Sequence, residues 1–570
     1  MAKLAFLLWF APCTVAAVEG GQKASLDIKV DQVGYLTAAT KVAVVAASAE
    51  KFTVRRASDG SIAFSGMLGG RLKNANSGDV VRLADFSALR ASGTYYLEIP
   101  GVGRSWTFKI DPNVYLRAYY LVMRGFYGQR CGTAVDLSKE FPGYSHPACH
   151  LKAAYAASSG RQGEVNDPGG WHDAGDYGRY LPSSAIATGT LLWTWEMFGA
   201  RLQGISLDIP ESGNGVPDIL NEARWNLEWM LHMQDRDGGV WHKQTSEQFA
   251  RLVAPDEDAL PSEIIGTGAS PYKSTCASAD LAAVAATAAR VYQPLDPDFS
   301  NRNLNSARKA WQWAERNPKV IFRNPPGVTT GEYGDRECAD ERLWAAAELW
   351  RTTGEAQYHR YFIANYAHYL KSLVSPPTEN WASLAPMALW RYSLAEREDR
   401  DVAAVRRIRS AMIRAANVIV MRTRKNPYRA SMTAHDYVWG SNGVAANYGM
   451  QLLVTNAMAP DTAYAEAALD NLHYLLGRNT FSLSWVTQLG EHPFRHPHHR
   501  PSISHPNAAP WPGLLSGGPN ANRQDPVLKT LPDLPPAKVY RDDQGSYSSN
   551  EVAINWQAML AFLLAAQVQP

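Results

Sequence analysis

The chain has 570 residues, 46% of them hydrophobic and 19% charged, with 18 Trp, 26 Tyr and 16 Phe; it is too long for one ordinary compact domain and too apolar and aromatic for disorder. Its 56 basic and 54 acidic residues leave a formal net charge of +2 without a long block of either sign. That excludes the electrostatic footprint of nucleic-acid or anionic-membrane binding and points to an uncharged partner.

Lys3, an apolar run from Leu4 to Phe10 and the small residues Val15 to Ala17 read as a secretory signal over residues 1–17. The run is short for a bilayer span of about 20 residues, and Pro12 interrupts it. No later stretch is both long and charge-free enough to span, so the mature chain is expected to be secreted, extracellular or periplasmic, with no membrane attachment. Four cysteines then remain: Cys131, Cys149, Cys276 and Cys338, the last pair of which, 276 and 338, is read as buried thiols.

Over residues 25–111, short alternating runs at Asp27–Val30, Lys41–Val45, Phe52–Arg55, Val80–Leu83, Thr94–Ile99 and Ser105–Ile110 are punctuated by Asp59-Gly60 and Gly69-Gly70. This predicts a small immunoglobulin-type β-sandwich. From about residue 115 to 570 the period becomes helical: Leu220, Ala223, Leu227 and Leu231 form one stripe, and Leu343, Ala347 and Trp350 another. Similar segments lie at 279–292, 307–314, 405–420, 463–476 and 551–566. Periodicity alone leaves a bundle, a solenoid and a closed toroid open.

Three clusters carry chemistry. In Gly169-Gly170-Trp171-His172-Asp173-Ala174-Gly175-Asp176, two carboxylates three residues apart in a glycine-rich turn can hold and deprotonate a water; an Asp cap or Asx turn is the plainer reading. Glu551 stands at the start of a predicted helix, where it would ordinarily serve the helix dipole. As a general acid it would need burial or nearby negative charge to keep its proton, with Asp542 and Asp543 as candidate contributors. His496-Pro497-His498-His499-Arg500 suits metal ligands, a sugar clamp or an exposed polar loop.

Several runs together are specific: Val30 to Tyr35, Ala84 to Ser87, WHDAGDYGRY at 171–180, IPESGNGVPDILNEARW at 209–225, DERLWAAAELW at 340–350, WGSN at 439–442 and GGPN at 517–520. By these the chain resembles glycoside hydrolase family nine, in the subgroup with an N-terminal immunoglobulin-like domain. The resemblance implies a mainly α fold, an (α/α)6 barrel preceded by the β-sandwich, and inverting hydrolysis of β-1,4-glucosidic bonds. It places the base on Asp176, assisted by Asp173, the acid on Glu551, an upstream aspartate on Asp542, and sugar-binding or acid-organising groups on His498 and Arg500. Inversion needs room for a water, so the carboxyls of Asp176 and Glu551 are expected about 6.5–9.5 Å apart. Two positions depart from the pattern, His492 and Gln557, and put subsite preference in question.

Cys131, Cys149, His150 and His172 would suit a structural tetrahedral zinc; a Cys131–Cys149 disulfide is the competing reading, and the resemblance favours the metal. Asp340 and Glu341 fall where the family binds calcium, or else cap the following helix. No organic cofactor is expected. The partner is a β-1,4-glucan polysaccharide or oligosaccharide, gripped by aromatic platforms drawn from Trp171, Trp241, Trp381, Trp439, Trp511 and Tyr547. A monomer is expected. The alternatives are an exo-acting cellodextrinase, cellobiohydrolase or exo-β-glucosaminidase, a noncatalytic carbohydrate-binding protein, and a zinc hydrolase built on residues 496–499.

Overall fold

The computed structural model describes residues 23–570 except 168, 374–379, 506, 508 and 570; the signal at 1–17 lies outside the described residues. The first unit is a sandwich of two sheets. One orders Ile28–Lys29, Val42–Val45, Val80–Asp85 and Leu72–Lys73; the other runs Gly34–Tyr35, Phe108–Ile110, Gly93–Ile99, Lys51–Arg56 and Ile62–Met67, with Gly103–Arg104 beside Gly93–Ile99. Val42, Val44 and their neighbours are buried on both faces, while the edge strand Ile62–Met67 leaves Ile62 and Met67 exposed. The inner faces bring Phe52, Tyr95, Leu97 and Phe108 into one core.

The rest of the chain is an (α/α)6 barrel. The inner helices are Leu181–Leu202, Thr275–Tyr292, Ala339–Thr353, Ala385–Ser393, Ser441–Met458 and Ile554–Ala565; Leu116–Gly128, Asp218–His232, Pro297–Arg316, Ala356–Asn365, Val402–Lys425 and Thr462–Leu475 lie outside, each against an inner neighbour. The final helix packs on both Leu181–Leu202 and Ser441–Met458, bringing the end of the barrel back to its beginning. Within Ile554–Ala565 every residue but Trp556 is buried, whereas Pro297–Arg316 buries one face. The final inner helix therefore carries no amphipathic stripe, whereas Pro297–Arg316 in the outer ring does.

The segment 30–35 joins the two units rather than simply opening a sheet. Asp31 Oδ1 accepts the N–H groups of Val33 and Gly34 at 2.8 and 3.0 Å, while Oδ2 meets Tyr115 Oη at 3.1 Å and His473 Nδ1 at 2.8 Å. Gln32 donates to the Ser482 carbonyl at 3.0 Å and accepts from His492 N–H at 2.7 Å. His492 itself stacks on Trp106 of the sandwich, ring centroids 5.1 Å apart. Gln557 donates to the carbonyls of Val122 and Gly513 at 2.8 and 2.5 Å and accepts from Leu515 N–H at 2.9 Å. Both departures from the family pattern thus sit in packed contacts, one at the domain junction and one inside the barrel.

Cys276 and Cys338 are not thiols. They form a disulfide with Cα atoms 4.7 Å apart across 62 residues of sequence, because the first turn of Thr275–Tyr292 lies against the start of Ala339–Thr353, its neighbour in the inner ring.

Candidate active site

The aspartate run is an irregular loop leading into Leu181–Leu202. Asp173 N–H donates to the Gly178 carbonyl at 2.9 Å. Asp176 Oδ2 accepts from Tyr180 Oη at 2.9 Å and from Gly178 N–H at 3.2 Å, so the Asx-turn reading is true of this oxygen without exhausting the residue. Trp171 Nε1 donates to Glu222 at 2.8 Å, and Arg130 pairs with both Glu222 and Glu211 at 2.9 Å. The 209–225 motif is the buttress of this loop. Gln129 adds a donor to the Ala174 carbonyl at 2.8 Å.

Three distant stretches of chain are stitched together here. Arg500 N–H and Nη1 both donate to the Gly175 carbonyl, at 3.1 and 2.8 Å; His498 N–H donates to Asn550 O at 2.9 Å; Ile554 N–H donates to Asp173 O at 2.9 Å. A Cβ on Gly175 would lie 2.0 Å from the His498 carbonyl oxygen, so only glycine lets the 173–176 loop touch the 498–500 segment.

Glu551 does not start a helix. It is extended, φ −64° and ψ 153°, after the short helix Tyr547–Asn550 and before Ile554–Ala565, so the helix dipole is not what it serves. Burial, then the charges of Asp176 and Asp173, hold its carboxyl well above the usual carboxylate range, with Arg500 and a hydrogen bond from Trp439 opposing. Asp542 and Asp543 do not supply that charge. Asp542 accepts Arg495 and His496 N–H, each at 2.9 Å, tethering the histidine loop, and Asp543 accepts Gly545 N–H at 2.8 Å in a local turn. Burial and the neighbouring charge of Asp176 push Asp173 up to about 7.

The three histidines diverge. His496 is exposed and near Asp542, His498 Nδ1 meets the Gln544 carbonyl at 2.7 Å, and His499 is buried between Ser502 and Gln129, both at 2.8 Å. They are no metal site. His498 lies against Tyr547, centroids 5.8 Å apart, and its pKa is lowered by burial. With Nδ1–H given to a carbonyl, the neutral ring keeps an acceptor at Nε2. Arg500 is buried, and its Nε and Nη1 are spent on the carbonyls of Ala250 and Gly175; these contacts tie it to the aspartate loop, and its charge acts on Glu551.

Of the aromatic candidates, Trp171, Trp241 and Trp511 are core residues, 0%, 2% and 2% exposed; Trp171 packs on Phe126. Their place in or near motifs reflects packing against the loop, and none can face a sugar. Trp439 is 37% exposed and lies 5.7 Å from Tyr547, beside Glu551. Trp381 meets Tyr333 edge-on at 5.0 Å.

Sequence reasoning missed Tyr333. Its hydroxyl donates to Asp173 Oδ2 at 2.5 Å from a backbone with φ 45°. Its loop is held by Lys243, which donates to the Gly331 carbonyl at 2.9 Å, and by His242, 3.0 Å from Glu332 O. Tyr333 lies just upstream of Asp340 and Glu341, and an aromatic ahead of that acidic pair was the available signal.

Cys131, Cys149, His150 and His172 present ligand atoms all within 4.8 Å of one another. The sulfurs are 4.0 Å apart and unbonded, and Cys149 Sγ is 3.8 Å from His172 Nε2. His150 Nε2 meets Asp258 at 3.2 Å, leaving Nδ1 buried and unpartnered. Two thiols, two imidazoles and a carboxylate behind one of them fit tetrahedral zinc. Asp340 and Glu341 are buried in the first turn of Ala339–Thr353, where Asp340 accepts Leu384 N–H at 2.7 Å instead of capping its own helix. Glu341 Oε2, Asp335 Oδ2 and both oxygens of the fully buried Asp280 have no partner. This donor set fits a hard cation.

The family model described as glycosyl hydrolase family 9 matches residues 115–564, and the cellulase N-terminal ig-like domain matches 23–104. The chain is 35% identical over 544 residues to Endoglucanase D of Acetivibrio thermocellus, covering 95% of this chain and 83% of the relative. It is 33% identical to a Cellodextrinase of Butyrivibrio fibrisolvens, covering 94% and 99%. The structure of a Zn-binding triple mutant of GH family 9 endoglucanase J30 superposes with a TM-score of 0.87 at 34% identity, over 94% of this chain and 99% of that one. With the barrel, the preceding sandwich and the stitched carboxylate cluster in place, the chain belongs to glycosyl hydrolase family 9 and is a glycoside hydrolase of the endoglucanase type.

Proposed function

We propose that this hydrolase cleaves internal β-1,4-glucosidic bonds of cellulose and related β-glucans with inversion, Asp176 acting as base, Asp173 helping to hold the water, and Glu551 acting as acid. The observation that carries the reading is the joining of the 173–176, 498–500 and 550–554 segments by direct backbone hydrogen bonds. Burial and two negative neighbours keep the proton on Glu551, which is what an acid at neutral pH requires. Asp176 is oriented by Tyr180 and Gly178, and Asp173 by Tyr333. A water between these aspartates attacks the anomeric carbon from one face while Glu551 protonates the departing oxygen from the other. His498 Nε2 offers an acceptor for a sugar hydroxyl, and Trp439 and Tyr547 offer ring faces.

Cys131, Cys149, His150 and His172 would hold zinc with four protein ligands and no open position, bracing the loop that begins beside Asp173. Asp280, Asp335, Asp340 and Glu341 would hold calcium. The Cys276–Cys338 disulfide supports a secreted protein; no helix of the described residues is long and apolar enough to cross a membrane. The similarity to a Cellodextrinase favours exo action as the second reading. Proton NMR of freshly cleaved cellopentaose tests the chemistry: α-anomer first is expected, and β-anomer first overturns inversion. Viscosity of carboxymethyl cellulose tests the mode: a rapid fall with few new reducing ends is expected, and a slow fall with abundant small product overturns internal cutting.

A further inference from the structure

Among the described residues every Trp and Phe is buried or part-buried except two, Phe249 at 48% and Trp439 at 37% exposure. Burying such a ring is worth about 1.5–3 kcal/mol, and an exposed ring marks a contact surface only where it adjoins a site. Neither is scattered at random over the molecule. Trp439 lies 5.7 Å from Tyr547 and acts on the Glu551 carboxyl. Phe249 lines the same concave pocket as Asp176, together with Gly178, Thr245, Ala250 and Leu260.

We propose that Phe249 is a sugar-stacking platform on the base side of the cleft, taking the flat face of a pyranose unit of the glucan next to the cleaved bond. This rests on the glucanase reading given above. The ring is fixed in place. The Arg500 guanidinium lies over it, 5.7 Å from the centroid, and the same guanidinium holds the carbonyls of Ala250 and Gly175 at 3.0 and 2.8 Å. One cation therefore sets the spacing between the platform and the aspartate loop. The segment beyond is pinned by Tyr177 Oη donating to the Val253 carbonyl at 2.6 Å and by Asp258 against His150 at 3.2 Å. Leu252 and Leu260, 47% and 38% exposed, extend the apolar surface of this segment. A ring with one face on a guanidinium and half its surface open suits a neutral ligand with axial C–H groups, and a β-linked glucose unit presents them.

The test is calorimetric titration of Glu551→Gln protein with cellopentaose, with and without Phe249→Ala, alongside steady-state kinetics of the single Phe249 variants. An aromatic contact of the usual strength predicts a Kd raised about five- to tenfold by Phe249→Ala, a matching rise in KM with kcat within about twofold, an unchanged Tm, and near-parental binding in Phe249→Trp. Parental Kd in Phe249→Ala overturns the inference, and so does Phe249→Trp losing as much affinity as Phe249→Ala. A wild-type enzyme that leaves cellopentaose uncut overturns the glucanase reading itself, a result separable from either of these.

Discussion

Replacing Tyr333 by Phe removes a single hydroxyl, the one that donates to Asp173 Oδ2 at 2.5 Å. A hydrogen bond to an ionised partner contributes roughly 1.5–3 kcal/mol, and because it favours the carboxylate over the acid, its loss raises the pKa by about one to two units. Asp173 already sits at about 7 through burial and the charge of Asp176, so the variant moves it to about 8–9. At pH 7 the ionised fraction then falls from about one half to between about one tenth and one hundredth. If water is held between two ionised aspartates, kcat/KM on cellopentaose falls about 5- to 50-fold at pH 7 and recovers as the pH rises, because the acid limb of the profile has shifted upward. The assay is the full pH dependence of kcat/KM for both proteins. An acid limb in the same place, or a loss independent of pH, refutes the reasoning that Tyr333 works by favouring the Asp173 carboxylate.

Glu551→Gln should lower turnover on cellopentaose by about 10²–10⁴-fold, the usual contribution of a general acid, with Kd little changed; turnover near wild type removes the acid assignment. Chelation with EDTA or phenanthroline should lower Tm while leaving turnover intact below the new melting range, since four protein ligands leave no position for a reactive water; immediate loss of turnover at low temperature would argue for a catalytic metal. Replacing Cys276 and Cys338 together by Ser removes a crosslink spanning 62 residues, worth about 4 kcal/mol in chain entropy, and should lower the denaturation midpoint in guanidinium. An unchanged midpoint would mean that the two helix starts are held as firmly by packing alone.

What was legible in the sequence follows from which surfaces meet water. The sandwich strands at 42–45, 80–85 and 93–99 alternate and were readable, while Ile62–Met67 was not, because its run Ile-Ala-Phe-Ser-Gly-Met has small residues where the pattern needs branched ones. Outer helices such as Asp218–His232 and Val402–Lys425 advertise a stripe. Leu181–Leu202 and Ser441–Met458 are buried over most of their circumference and carry Gly, Ser, Thr and Asn where close helix contacts need them, so the helical period is silent there. In the site, the carboxylates are chemically distinctive in the sequence, and the fold brings the 173–176 and 551–554 segments together. Trp171 could not be separated from a platform tryptophan by sequence, because membership of a motif does not say which way a ring faces; here it faces Phe126 and Glu222. Tyr333 and Phe249 reach the site from loops whose placement depends on long-range partners, Lys243 for one and Arg500 for the other.

The base pair and the acid are electrostatically one device, and this yields a prediction of opposite sign to the first. The charges of Asp176 and Asp173 are the largest causes after burial of the raised Glu551 pKa. Asp173, pushed up to about 7, is only partly ionised near neutrality, so its removal lowers Glu551 by part of what a full neighbouring charge would. Asp173→Asn should therefore move the alkaline limb of the cellopentaose profile downward, since the acid loses its proton earlier, whereas Tyr333→Phe leaves that limb in place or lowers it only slightly, because it withdraws only part of the Asp173 charge. Measuring the residual activity of both variants across the same pH range separates the two effects. An alkaline limb unmoved in Asp173→Asn would show that burial alone keeps the proton on Glu551, and that the aspartates prepare the water without helping to prepare the acid.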